Sequence, residues 1–277
     1  MSKHGSHEES VRPPAVAGMF YPGDPGELSG TLRTLLESPP EAQGGIRGVI
    51  APHAGYAYSG RTAAEAYGRL TGARFDTVVV IAPSHREYFE GVSVYPGRAY
   101  TTPLGEIPVD AALRDTLVAL SGLVRASTAG HGAEHAIEVH LPFLQHVLGE
   151  FRLLPLVIGH QTKDVCFGLG AALRALLEGR SALIVASTDL SHFHPDARAR
   201  EMDSVVIADV KAFDPRALMA HLEEGTAEAC GGGPTVAALS ALRELGATRL
   251  DVVGYATSGD ITGDLRSVVG YLSAVAS

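Results

Sequence analysis

Cysteine is scarce in this chain of 277 residues: Cys166 and Cys230 are its only two, with no zinc-type or disulfide-framework spacing around them. That scarcity argues against a disulfide-stapled extracellular scaffold and makes a reducing cytoplasm the expected location. Long apolar runs are missing as well. Stretches such as TVVVIAP and ALIVAS fall far short of the roughly 20 residues that a membrane-spanning helix needs, so no membrane association is expected. The opening MSKHGSHEES lacks the apolar core of a secretory signal, and residues 1–12 read as a flexible tail ahead of a single domain over residues 13–277. Positive charge is in the minority, with 22 Lys and Arg against 31 Asp and Glu and a net charge of −9. The basic residues are scattered, which leaves no phosphate-tracking surface and speaks against nucleic acid as a partner. Neither an internal repeat nor a low-complexity linker interrupts the chain.

What is present is the material of a buried core, since 45% of the residues are hydrophobic. Asp24-Pro25-Gly26-Glu27 combines a capping carboxylate, a proline suited to the first helical position and a glutamate three residues after the cap, which predicts a helix start. Leu28, Leu32, Leu35 and Leu36 continue it at helical spacing, and Ser38-Pro39-Pro40 is expected to end it. Apolar, β-branched runs over 48–51, 77–82, 153–158, 182–186 and 250–256 read as strands. Helical patterns lie between most of them, one marked by Ala63, Tyr67 and Leu70 and another by Leu169, Leu173, Leu176 and Leu177. Continuous apolar strands alternating with helices predict an α/β fold, a three-layer sandwich whose central sheet is covered on both faces. Residues 95–108 are expected to form an irregular excursion.

The polar chemistry gathers at strand ends. His53 follows GVIAP, His85 follows TVVVIAPS, and Asp189 with His192 follow ALIVAST. Open α/β sheets place ligands beyond the carboxyl ends of their strands, so three metal-capable deliveries at equivalent positions point to one shared site rather than to three separate loop caps. Cys230 stands in Glu228-Ala229-Cys230-Gly231-Gly232-Gly233-Pro234, just before a helical pattern carrying Val236, Leu239, Leu242 and Leu245. Pro234 suits the first position of that helix, and a helix start near Cys230 would favour its thiolate. Cys166, in an apolar setting, reads as a buried small hydrophobe. The densest ionisable run is His131-Gly132-Ala133-Glu134-His135-Ala136-Ile137-Glu138-Val139-His140-Leu141-Pro142. On a helix Glu134 and Glu138 would share a face and a carboxylate would orient His135, whereas His140 would be rotated about 140° from His135, unlike a zincin motif. Pro142 would interrupt that helix. A polar network that stabilises the start of a helix is the competing account of the run.

The phrases AVAGMFYPGDP, VIAPHAGYAYSG, VIAPSHREY, EHAIEVHLPFL, ASTDLSHFHP, EACGGGPTV and YATSGD occur in an order similar to that of the Memo-like family, from about Ala15 to the last strand. The chain resembles the AmmeMemoRadiSam system protein B type, related to the class III extradiol ring-cleavage dioxygenases. The resemblance implies one domain of that fold, with a central mixed, largely parallel sheet between helical layers. It also implies a site for one divalent metal on His53, His85 and Cys230, iron(II) first, with copper or zinc as alternatives. Those dioxygenases hold iron(II) with two histidines and a carboxylate. A thiolate in place of the carboxylate is a departure that puts the ring-cleaving reaction in doubt, because it is softer and itself oxidisable. His192 matches the position of the dioxygenases' catalytic histidine, with Asp189 close by for proton transfer and His194 as a second candidate. A functional link to a radical SAM protein follows from the resemblance alone.

Three functions are therefore expected to compete. The first is a non-haem iron(II) or copper redox protein of dioxygenase-like character, with His192, Asp189, Glu138 and His135 as catalytic groups. The second is a hydrolase in which zinc on the same ligands activates water and Glu138 or Asp189 acts as base. The third is a non-enzymatic module that binds a small molecule or peptide carrying an anionic or phosphotyrosine-like group. Tyr56, His140 and Glu134 are the expected substrate-binding residues, and Tyr58 and Tyr88 flank the histidine motifs as further walls.

Overall fold

The structure is a computed structural model that describes residues 10–37 and 42–277. Its strands are β1 (Val11–Arg12), β2 (Gly48–Ala51), β3 (Thr77–Pro83), β4 (Val92–Val94), β5 (Ala99–Thr102), β6 (Gly105–Pro108), β7 (Val124–Ala126), β8 (Arg152–Ile158), β9 (Ala182–Ser187), β10 (Asp189–His194), β11 (Leu250–Thr257) and β12 (Val268–Ala276). The helices are α1 (Pro25–Leu35), α2 (Tyr56–Tyr67), α3 (Ala111–Leu120), α4 (Leu141–Leu148), α5 (Lys163–Leu177), α6 (Asp196–Lys211), α7 (Pro215–Glu224), α8 (Gly232–Glu244) and α9 (Ser258–Thr262).

Local chemistry accounts for these elements. The Asp24 carboxylate accepts from the backbone N–H groups of Gly26 and Glu27 at 2.8 and 2.9 Å, and Pro25 opens α1 where its missing N–H costs nothing. The expected stop at Ser38–Pro40 lies outside the described residues. Every residue of β3, TVVVIAP, is buried, as a strand covered on both faces must be. In α5, capped by Thr162, the stripe of Leu169, Leu173, Leu176 and Leu177 is buried.

Nine strands form one mixed sheet in the order β10-β12-β2-β9-β3-β8-β4-β7, with β11 on the far side of β12. Its centre, β2-β9-β3-β8, is parallel, and antiparallel pairing begins at β12 on one side and β4 on the other. Apolar residues pack on both faces. Leu28, Leu32, Ala63, Tyr67 and Leu144 of α1, α2 and α4 close one core, and Leu117, Leu169, Val206, Leu218 and Leu239 of α3, α5, α6, α7 and α8 close the other. This is the three-layer sandwich that the strand–helix alternation predicts. The central register decides where function sits: Ala51 lies opposite Ser187, Ile81 opposite Ala186 and Pro83 opposite Ile158, so the parallel strands end in a row.

Some expectations need correction. Residues 95–108 are not irregular: they hold the β5–β6 hairpin, whose tight connection rests on Gly105 at φ 125°, a conformation open to glycine. Val11 and Arg12, expected in the flexible tail, form β1 alongside β5, and Arg12 is buried. Pro142 does not interrupt a helix but sits in the first turn of α4, and Pro234 is the third rather than the first residue of α8. The His131–Ile137 stretch is loop, followed by a single 3-10 turn over Glu138–His140, so Glu134 and Glu138 do not share a helical face.

Candidate metal centre

The loops after β2, β3 and β9 and the loop before α8 meet above the carboxyl edge of the sheet. One potential donor atom from each of His53, His85 and Cys230 lies within 4.8 Å of the others, a set that could hold a metal ion. His53 is buried, and its backbone N–H donates to Asp189 Oδ1 at 2.8 Å, which pins the turn after β2 to the start of β10. His53 Nδ1 meets Ser187 Oγ at 2.7 Å, and Nε2 faces Cys230 Sγ at 3.1 Å. His85 is held by Glu134 twice, through its backbone N–H at 2.6 Å and through Nδ1 at 3.0 Å. With Nδ1–H committed to a carboxylate, His85 Nε2 carries the free lone pair. The Cys230 loop comes close because Gly231 has no side chain: a Cβ there would stand 1.9 Å from the Ser187 carbonyl oxygen.

A third imidazole completes the cluster. His135 stacks on His85 with ring centroids 5.0 Å apart and 19° between planes, and it meets His53 edge-on at 5.5 Å. Its Nδ1 is buried 3.2 Å from Glu134 Oε1, an ion-pair contact without hydrogen-bond geometry, so Glu134 flanks both imidazoles. Burial pushes the His135 imidazole down to about 4, against the pull of Glu134, and drives His53 far below its ordinary value with help from the surrounding imidazoles. Burial alone would raise Glu134, but its hydrogen bonds and charge interaction with His85 outweigh this and hold it at about 2. Asp189, also buried, rises to about 7 despite accepting from His53 N–H. Burial and the neighbouring Asp189 push the Cys230 thiol up, which corrects the expectation that a helix start favours its thiolate. Without a cation at its sulfur, Cys230 is a neutral thiol beside a neutral imidazole. The donor chemistry suits a borderline transition metal: two imidazoles with outward lone pairs, one thiol and a buried carboxylate beside them.

The match to known proteins is now decisive, because the family model described as Memo-like protein covers residues 12–275. The chain belongs to the Memo-like protein family. It is 41% identical over 274 residues to a MEMO1 family protein of Methanothermobacter thermautotrophicus, covering 94% of this chain and 98% of that one. A MEMO1 family protein of Methanosarcina mazei is 40% identical over 268 residues, with 96% and 98% covered. One from Aquifex aeolicus is 36% identical over 266 residues with the same coverage. Among solved structures, an uncharacterized protein of Escherichia coli K12 superimposes with a TM-score of 0.57 at 18% identity, over 83% of this chain and 99% of that one, a likeness of fold alone.

The Memo-like core gathers some of the sequence-expected residues and removes others. His192 lies on β10 at the rim, near enough to act electrostatically on His53, and its backbone N–H donates to Glu228 at 3.3 Å. His194 Nε2 pairs with the same carboxylate at 2.8 Å. Between them Phe193 adopts φ 63°, in the left-handed region, and points outward. Glu138, expected as a base, is buried and occupied: it pairs with the Arg12 guanidinium and accepts from Ala15 N, Val16 N and Tyr21 OH at 2.7, 3.0 and 2.5 Å. Four donors leave it no capacity for proton transfer, and it acts as an internal anchor for the residues before α1. Tyr56, expected at the substrate, is a core residue between Tyr21 and Phe143 whose hydroxyl donates to Val139 O at 2.7 Å. Glu134 and His140 lie behind the metal-capable histidines rather than in the opening, where Glu134 also accepts from the N–H groups of His135 and Ala136. Sequence reasoning passed over Ser187 and Arg12. Ser187 carried a signal, since it ends the ALIVAS strand in line with His53 and His85, but serine is too common at strand ends to stand out.

Proposed function

We propose that this Memo-like chain is a metal-dependent oxidoreductase of dioxygenase-like character. His53, His85 and Cys230 hold one divalent ion, with iron(II) the leading candidate and copper or zinc as alternatives. What supports this is the convergence of those three donors, with the His135 imidazole stacked beside them, at the carboxyl edge of a parallel sheet. When bound, a redox metal there would activate an oxidant and substrate at its open coordination positions. The protein's own residues do the rest. Glu134 orients His85, Asp189 fixes the backbone of His53, and neutral His192 and His135 stand at the cluster to accept a proton. Asp189, poised near neutrality, is a further proton carrier. The substrate is a small molecule or peptide reaching the rim beside His192, the location is cytoplasmic, and a radical SAM protein is the proposed functional partner. Among the described residues no helix is long and apolar enough to cross a membrane.

Anaerobic metal analysis with electron paramagnetic resonance tests this reading. An iron(II) protein gives a nitric oxide adduct signal, and copper(II) on a thiolate gives its own. Native protein fully loaded with zinc and magnetically silent would turn the assignment to a hydrolase.

A further inference from the structure

Behind the proposed centre runs a chain of hydrogen bonds whose proton positions can be deduced. Ser187 Oγ has three neighbours: the Ala136 carbonyl oxygen at 2.6 Å, His53 Nδ1 at 2.7 Å and His140 Nε2 at 2.8 Å. All four residues are buried, so water does not substitute for any partner. A hydroxyl has a single proton, and of these three neighbours only the carbonyl is incapable of donating. Ala136 O therefore takes the Ser187 proton, and both imidazole nitrogens facing Oγ must carry their own. At the far side of His140, Nδ1 meets the Tyr67 hydroxyl at 2.8 Å. With Nε2 protonated, neutral His140 offers a lone pair at Nδ1, which the Tyr67 O–H fills. The sequence of donors is thus Tyr67 to His140, His140 to Ser187, and Ser187 to Ala136, with His53 joining as a second donor to Ser187.

We propose that Ser187, backed by His140 and Tyr67, is a positioning residue that locks His53 in the Nδ1–H form, so that its Nε2 lone pair faces Cys230 and the metal site. The lock matters because a free imidazole divides its proton between both nitrogens, and only the form with bare Nε2 can act as a ligand there. The same serine fixes the direction of the ring, since Oγ stands at the end of β9, the strand hydrogen-bonded to β2 ahead of His53. Glu134 performs the matching task for His85 with a carboxylate. The two histidines are thus oriented by different chemistries, one charged and one neutral, and the neutral one leaves no net charge behind His53.

The role rests on the metal reading, and its test separates the two. Nitrogen-15 histidine spectra of the metal-free protein report which ring nitrogen is protonated. Wild type should show His53 protonated at Nδ1 and His140 at Nε2, and a His53 proton on Nε2 would overturn the lock whether or not any variant folds. In Ser187→Ala, His53 should populate both forms and cobalt(II) affinity should fall roughly 10–100-fold. Ser187→Thr, which keeps the hydroxyl, should restore much of the affinity. Tyr67→Phe is the milder probe: it removes the donor to His140 Nδ1 but leaves Ser187 Oγ to accept from Nε2–H, so the His140 proton should stay on Nε2 and cobalt(II) affinity should fall less than in Ser187→Ala. Unchanged affinity in a folded Ser187→Ala protein would refute the positioning role. Wild type that shows the Nδ1–H form but takes up no cobalt would overturn the metal reading, and the role with it, while leaving the tautomer assignment standing.

Discussion

At the scale of single residues, the site is a lesson in partners. Glu134 is the clearest case: two of its contacts reach His85 and two reach the backbone of His135 and Ala136, so one carboxylate shapes both the ligand and the imidazole beside it. Glu134→Gln keeps the shape but weakens the pull on His85 Nδ1–H, and it should lower metal affinity roughly 10–100-fold, read by competition with a chromophoric chelator. Arg12 acts at one remove. Its guanidinium pairs with Glu138 and donates to the carbonyls of His131, Gly132 and Glu134, tying down the loop that carries the cluster. Arg12→Ala leaves Glu138 buried without its cation and should destabilise the protein by about 3–5 kcal/mol in urea unfolding. Adding Glu138→Leu should not recover that loss, because it takes the acceptor from the N–H groups of Ala15 and Val16 and from the Tyr21 hydroxyl. Strand-end placement made His53 and His85 legible as metal-capable residues, whereas Cys230 entered through the family resemblance and the helix start that follows it. Residue identity misled at Glu138 and Tyr56, since a carboxylate that binds four internal donors looks the same in a sequence as one that faces substrate.

At the scale of elements, the strands were legible and the short connections less so. Runs such as TVVVIAP announce themselves because both faces of the sheet are covered, and strand-end placement then brought three deliveries to one edge. The β5–β6 hairpin was hidden because β5, AYTT, is mostly buried yet half polar, and β6, GEIP, is largely exposed and ends in a proline, so neither shows a continuous apolar run. The loop before α8 shows how an element sets a distance. Gly231 lets it approach the end of β9, and Cys230 meets His53 as a result. Gly231→Ala should push that loop outward, so that a folded variant loses most of its metal affinity, measured by isothermal titration; affinity equal to wild type would show that the loop has room to spare.

At the scale of the whole molecule, two apolar cores sandwich the sheet while its carboxyl edge collects buried titratable groups, and stability must follow their protonation. His131 is the best witness because it lies outside the metal-capable set: Tyr100 OH meets its Nδ1 at 2.5 Å and Ser93 O its Nε2 at 3.3 Å. Burial, with the Arg12 charge adding to it, brings it to about 3 from an ordinary 6.5. Between those values the unfolded chain binds a proton that the folded chain refuses, so the stabilisation is complete above about pH 6.5 and is lost as pH falls toward 3. His140, also brought to about 3 by burial, works in the same direction. Thermal melts should show a midpoint that is level near neutrality and falls below pH 6.5, with a shallower fall in His131→Gln.

The central claim is that His53, His85 and Cys230 form one metal site, and anaerobic cobalt(II) titration followed by absorption tests it most directly, since thiolate ligation gives a charge-transfer band in the near ultraviolet. Wild type should saturate at about one ion per chain with that band, Cys230→Ser should lose the band, and His53→Ala should lose most of the affinity. Uptake well below about one ion per chain that His53→Ala leaves unchanged would contradict it.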